Sequence, residues 1–171
     1  MARLAHWQRW LRHTRLDGSD LRRALDAAAL ARIRAAVAAS ETRHSGEIRV
    51  SVEAGLPLSY LHRGLGSRER ALMLFGKLRV WDTEHNNGVL IYLLLADRAI
   101  EIVADRGLAR HVPVSQWDTL LSGMREAFRG GRFEEGLGQA ISVVDALLAM
   151  HFPLAAGEVN PNELPDEVDL R

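Results

Sequence analysis

The apolar run Val89 to Ala96 is flanked by residues able to hold a hard cation. Glu47, Asp82, Glu84, Asn87 and Asp105 offer carboxylate and amide oxygens, the donors that calcium prefers and that magnesium also takes. Left without a cation, such carboxylates would repel one another if brought together, and at least one pKa would rise. The spacing matches no EF-hand loop, and each residue could equally cap its own turn. Both readings stay open on the sequence. At the far end of the run, Asp97 and Arg98 form a short connection. Arg98 could hold an anion through its guanidinium fork, or the pair could be a solvated hairpin turn.

Other chemistries find little support. The chain has no cysteine, which removes disulfides, thiolate metal sites and a thiol nucleophile. Its seven histidines include no pair with HExxH spacing. His44 and His85 could approach the acidic residues, although both read as solvated loop histidines. No GxSxG, Walker-type or GxGxxG segment occurs.

The elements that must position these residues follow from periodicity. Residues 47–54, "EIRVSVEA", alternate, with Ile48, Val50, Val52 and Ala54 on one face and a wetter face opposite. A helix is predicted from Ser67 to Leu78, then the doubly covered strand Val89 to Ala96. Asp97 and Arg98 connect it as a two-residue turn to an antiparallel strand over 99–104, which Gly107 helps to end. Before these lie two helices, one with Leu4, Trp7 and Leu11 on a stripe, the next from Ser19 or Asp20 to about Thr42. After them come a helix opened by Ser115 and Asp118 with Trp117, Leu120, Leu121, Met124 and Phe128 inward, and a last one from Phe133 to Leu148. The order predicts an α/β fold, a small mixed sheet with helices on both faces. If strands 47–54 and 89–96 are parallel, Glu47, Asp82, Glu84, Asn87 and Asp105 gather at one sheet edge, and Asp97 and Arg98 lie at the other.

A length of 171 residues, 47% apolar and 26% charged, fits one ordinary domain with appendages. The domain spans 19–152, preceded by an amphipathic basic helix over 1–18 and followed by an acidic tail, 153–171, predicted to be disordered. Net charge is zero, so no global field draws the protein to nucleic acid. Charge is nevertheless uneven, with nine arginines against four acids in residues 1–43 and five acids against Arg171 in residues 153–171. Either end could engage a partner protein. The Trp- and Arg-bearing first helix packs as an extra helix or makes weak peripheral membrane contact. No apolar run is long enough to span a bilayer, and no secretory signal is evident, so a cytoplasmic location is expected.

The segments "SGEIRVSVE", "RALMLFGKLRVWDTEHNNGVLIYLLLADRAIEIVADRGL" and "MREAFRGGRFEEGLGQAI" resemble the TPM domain, known from a thylakoid lumen protein, a photosystem-associated protein and a nematode receptor modulator. The similarity covers roughly residues 25–150. It implies a Rossmann-like α/β/α sandwich, calcium binding in some members, and the acid phosphatase activity proposed for the plant branch. Other members assist the assembly or repair of membrane complexes. The family pattern falls on Glu47, Asn87, Gly88, Asp97, Arg98, Gly107 and Leu108, with Asp82 and Glu84 in the acid-rich loop. Asp105 stands where many members have glycine, and Ala109 where they have glutamate.

Two functions are therefore expected. The first is a TPM-type domain holding a divalent cation at Glu47, Asp82, Glu84, Asn87 and Asp105, with metal-assisted phosphatase activity for which Arg98 or Arg106 would bind the anion. Gly88, Asp97 and Gly107 then serve the turns. The second is a non-enzymatic interaction or assembly module.

Overall fold

The computed structural model describes residues 2–171; the side chains of residues 2–6, Val114, Asp118 and Leu121 lie outside that description. Expectations that rest on Leu4, Asp118 or Leu121 fall outside the described residues. Helix α1 (Ala2–Arg15) ends in Arg12, His13 and Arg15, where cations suit the exposed carbonyls. Helix α2 (Gly18–Ala24) starts in a capping box: Asp17 accepts from the Ser19 N–H at 2.7 Å, and Asp20 from the Asp17 N–H at 2.9 Å. The single helix expected up to Thr42 is in fact broken. Leu25 is extended and buried, and Asp26 opens α3 (Ala27–Glu41) by accepting from the Ala29 N–H at 2.7 Å. A side chain that caps so well competes with continuing the helix.

Strand β1 (Ile48–Glu53) leads through α4 (Leu58–His62), unforeseen beside Pro57, and α5 (Ser67–Lys77) into β2 (Val89–Leu94). β1 and β2 are parallel, from Ile48↔Val89 to Glu53↔Leu94. β3 (Ala99–Ala104) returns antiparallel, with Leu94 opposite Ala99. The turn between them is therefore Leu95 to Arg98 rather than Asp97-Arg98 alone, closed by Arg98 N–H to Leu95 O at 3.0 Å. Arg98 completes it in a left-handed conformation, φ 48°.

Beyond β3 come α6 (Arg106–Ala109), α7 (Val114–Arg129) and α8 (Phe133–His151). Pro113, not a side-chain box at Ser115, precedes α7, and it makes no side-chain cap. Proline fits there because the first helical N–H groups lack partners in any case.

One face of the sheet carries Ile48, Val50, Val52, Val89, Ile91, Leu93, Ile100 and Ile102 into a core with α2, α3, α7 and α8. The other carries Leu90, Tyr92, Leu94 and Val103 against Leu61, Ala71 and Leu74 of α4 and α5. This is the expected α/β architecture with helices on both faces. The supposed wetter face of β1 is covered, however: Glu47, Ser51 and Glu53 are buried. Glu53 and Ser51 have partners that make this tolerable. Glu53 takes both the Arg70 guanidinium and the Tyr92 hydroxyl, the latter at 2.7 Å, and Ser51 donates to Asp169 at 2.8 Å.

Residues 153–171, expected to be a disordered tail, instead follow the outer side of β1. Arg49 donates to the Pro165 and Glu167 carbonyls at 2.5 Å each, and Arg34 pairs with Glu167 at 3.1 Å. Strand β4 (Asp169–Leu170) then joins β1 in parallel, giving the order β3-β2-β1-β4. Composition alone suggested disorder. The acids find arginines elsewhere in the chain, and Leu164 fills the second core.

Candidate functional site

The leading edge of the parallel pair is built by backbone continuity. Val89 N–H donates to Glu47 O at 2.8 Å, and Asp105 N–H to Gly88 O at 2.9 Å, so Glu47, Gly88 and Asp105 stand in line across three strands. Two glycines let the loop before β2 lie against this edge. A Cβ on Gly88 would sit 1.9 Å from Val80 O, and one on Gly107 2.3 Å from Asn86 O. Asn86 holds a left-handed turn, φ 52°, which suits asparagine, and its side chain accepts from Arg106 Nε at 2.8 Å.

Three of the five expected cation ligands are drawn into this edge. Glu47 is fully buried; its Oε2 accepts from Leu164 N–H at 3.0 Å and its Oε1 has no partner. Burial pushes its carboxyl pKa up. Asn87 is also fully buried, donating its N–H to Thr83 Oγ1 at 3.1 Å and its Nδ2 to Ser45 O at 3.0 Å, which leaves Oδ1 unpaired. Asp105 caps α6 through Oδ1, 2.7 Å from Arg106 N, while its buried Oδ2 lacks a partner. Asp82 and Glu84 are placed otherwise. Their side chains are exposed on the loop, and Glu84 reaches the edge only through its N–H, 3.2 Å from Glu163 Oε2.

Two acids at this edge escaped the sequence reading. Glu41, at the end of α3, is buried and accepts from Ile48 N–H at 2.9 Å. Burial first, then the nearby Glu47 and Asp166, push its carboxyl pKa up to about 8. Asp166 has a buried Oδ1 without a partner. They line a cavity of about 360 Å³ with Glu158, Asn160 and Asn162. A signal existed for Glu41: a carboxylate in the last turn of a helix opposes the helix dipole, so it needs a reason to be there. Asp166 gave none once its segment had been read as disordered.

Unpaired buried oxygens are costly, and here they are amide and carboxylate oxygens, the donors a hard divalent cation takes. Among the described residues no three Asp, Glu or His side chains converge closely enough to hold an ion by themselves. Glu47, Asn87 and Asp105 thus fit the chemistry of such an ion, with remaining positions left to main-chain carbonyls and water.

His44 is buried rather than solvated, with Nε2 2.9 Å from Ser40 Oγ and Nδ1 3.0 Å from Gly46 O. Burial lowers its pKa to about 4. Ser40 donates to Asp145 at 3.0 Å and is itself buried, so this Ser-His-Asp group ties α3 to α8 and offers no accessible nucleophile. His85 is exposed.

The opposite edge holds Asp97 and Arg98. Burial alone would raise the Asp97 pKa, but the hydrogen bond from His13, with Arg9 and Arg12 beside it, holds the carboxyl below its usual value. His13 Nε2 lies 3.1 Å from Asp97, and its Nδ1 accepts the Leu56 N–H at 3.0 Å. The main-chain donor fixes the tautomer, so Nε2 carries the proton. In this way α1 is packed on the carboxyl end of the sheet. Gly55 permits the approach, since a Cβ there would lie 2.4 Å from His13 O.

A mixed sheet between two helical layers, with buried acids gathered where its parallel strands begin, defines a Rossmann-like α/β/α sandwich carrying an acidic edge. The chain matches the TPM domain over residues 19–147 and belongs to the TPM domain family. It is similar to the solution structure of the BA42 protein from the psychrophilic bacterium Bizionia argentinensis, at 30% identity and a TM-score of 0.74, covering 86% of this chain and 95% of that one. The N-terminal domain of a P. gingivalis protein shares the fold at 21% identity and a TM-score of 0.58, over 77% and 82% of the two chains. No curated protein matches the chain.

Proposed function

We propose that this TPM domain binds a divalent cation, calcium before magnesium, at the edge formed by Glu47, Asn87 and Asp105. The observation that carries this is the set of three buried oxygens there without hydrogen bonds. A bound ion would satisfy them together and offset the charge that burial disfavours. Binding would also draw the proton from Glu47, so affinity should rise with pH.

Metal-assisted hydrolysis of a phosphate ester is the enzymatic form of this reading. The ion would polarise phosphoryl oxygens and orient water. Arg106, exposed beside Asp105 with Nε held by Asn86, would receive the anionic group. Arg98 cannot share that task, because a six-residue strand separates the two edges by roughly 20 Å. The assembly-module reading is favoured by a different observation: Leu164 and Glu163 bring the C-terminal segment over Glu47 and the loop at Glu84. An ion there would brace the segment rather than meet a substrate.

Calorimetric titration of chelator-treated protein decides the first point. Saturable calcium binding, weakened at least tenfold in Asp105→Asn and Glu47→Gln variants that keep the native circular dichroism, is expected. Absence of binding with calcium and magnesium alike would return these residues to turn chemistry. Turnover of p-nitrophenyl phosphate that needs the ion and is lost in Asp105→Asn would establish the hydrolase; binding without turnover would leave the assembly module.

A further inference from the structure

A further cavity lies at the other end of the sheet, where α1 and α2 overhang the carboxyl ends of β1 and β2. Its volume is about 1040 Å³. Open α/β sheets favour ligands at this end of their parallel strands. Arg12, Arg15, Arg23 and Arg98 line it against a single acid, Asp20.

Two of these charges are already answered. Asp20 holds Arg23 at 2.9 Å, and Asp97 lies 3.4 Å from Arg12. Among the described residues, Arg15 and Arg98 face no carboxylate within ion-pair distance. Arg98 donates one guanidinium N–H to the Arg129 carbonyl, which fixes the side chain without cancelling its charge. Its backbone is also held at φ 48°, a conformation glycine or asparagine takes more readily. An arginine kept at such a position against its backbone preference is an outlier from which a role can be argued. Apart from Gln8, the rest of the wall, including Leu11, Leu16, Leu95 and Phe133, is apolar.

We propose that this cleft binds a small organic phosphate, its dianionic group between Arg15 and Arg98 and its apolar body against Leu16, Leu95 and Phe133. Two uncompensated guanidinium groups match a phosphate monoester better than a carboxylate, which carries one charge. The cavity size suits a small molecule. The site is independent of the cation edge and stands whether or not that edge holds an ion.

Phenyl phosphate, inorganic phosphate and benzoate are the probes, titrated into the full chain and followed by amide chemical shifts. Saturable binding of phenyl phosphate, tighter than either other probe and with the largest shifts at Leu95 to Ala99, is expected. Arg98→Gly suits the left-handed turn, so it should keep or raise the melting temperature while weakening phenyl phosphate at least tenfold. Arg15→Gln should weaken it similarly, and Arg63→Gln, exposed in a different loop, should not. No saturation, affinity unchanged in both cleft variants, or benzoate binding as well as phenyl phosphate would overturn the assignment. So would binding confined to phosphatidic acid vesicles, which would mark a lipid headgroup as the ligand.

Discussion

The main-chain N–H of Leu164 donates to the buried carboxylate of Glu47 across 117 residues of sequence, at 3.0 Å. One hydrogen bond thus joins the start of the first strand to the segment that covers its outer side. Glu47 is at once a candidate ligand and the anchor of that segment.

Loosening the segment should cost stability. Leu164 is buried in the core below the second face of the sheet, so Leu164→Ala should destabilise by about 2 kcal/mol. Urea denaturation measures the total, and hydrogen exchange at Ala54, whose N–H donates to Arg171 O at 3.0 Å, reports the local release. An unchanged urea midpoint with unchanged exchange would show that the segment does not stabilise the sheet.

Two buried groups give opposing pH dependences. Glu41 has its folded pKa raised from 4.5 to about 8. The folded state therefore holds the extra proton, and the stability this contributes is lost as pH rises from about 4.5 through about 8. His44 is lowered from 6.5 to about 4, so its contribution is present above 6.5 and lost as pH falls towards 4. Glu41→Gln in chelator should flatten the alkaline limb and stabilise by roughly 1–3 kcal/mol at pH 8. Melting curves between pH 4 and 9 that keep their alkaline slope in the variant would contradict the buried, protonated Glu41.

Gly88 and Gly123 should respond in opposite directions to the same change. Gly88→Ala pushes a methyl into Val80 O, which is backbone and cannot swing away, so a loss of about 3 kcal/mol or failure to fold is expected. Gly123 lies inside α7 with nothing within 4 Å of a Cβ, and Gly123→Ala should stabilise by about 0.5–1 kcal/mol. Equal effects in thermal denaturation would mean that the loop before β2 is not seated on Gly88.

The Glu53–Arg70–Tyr92 group predicts strong non-additivity. Arg70→Met alone strands a carboxylate under α5 and should cost about 3–5 kcal/mol. Adding Glu53→Leu should recover most of that loss. A double-mutant cycle in urea checks this, and additive losses would mean the pair is solvated.

The sequence was most legible where a pattern had one physical cause. β2 is apolar at every position, so a strand covered on both faces was the natural reading. Its parallel pairing with β1 then brought Glu47, Asn87 and Asp105 to one edge without reference to side chains. Asp82 and Glu84 stand apart from that group with exposed side chains, because a loop can turn its polar residues outward even when its backbone is seated. The C-terminal segment was misread because the groups that order it, Arg34, Arg49 and Glu47, lie more than a hundred residues away. Local composition holds no record of such partners. His13 was hidden similarly, since its importance lies wholly in Asp97 and the Leu56 N–H.

The distance along the chain between β1 and its outer partner also sets a time. Ser51 and Asp169 are separated by 118 residues. At ribosomal rates of roughly 5–20 residues per second, β1 waits about 6–24 s for the strand that covers its edge. Through that interval the nascent sheet presents a row of open main-chain donors and acceptors to its neighbours on the same message. Slowing elongation after α8 should lengthen the exposure and raise the fraction of chains lost to aggregation, with the amino-acid sequence unchanged.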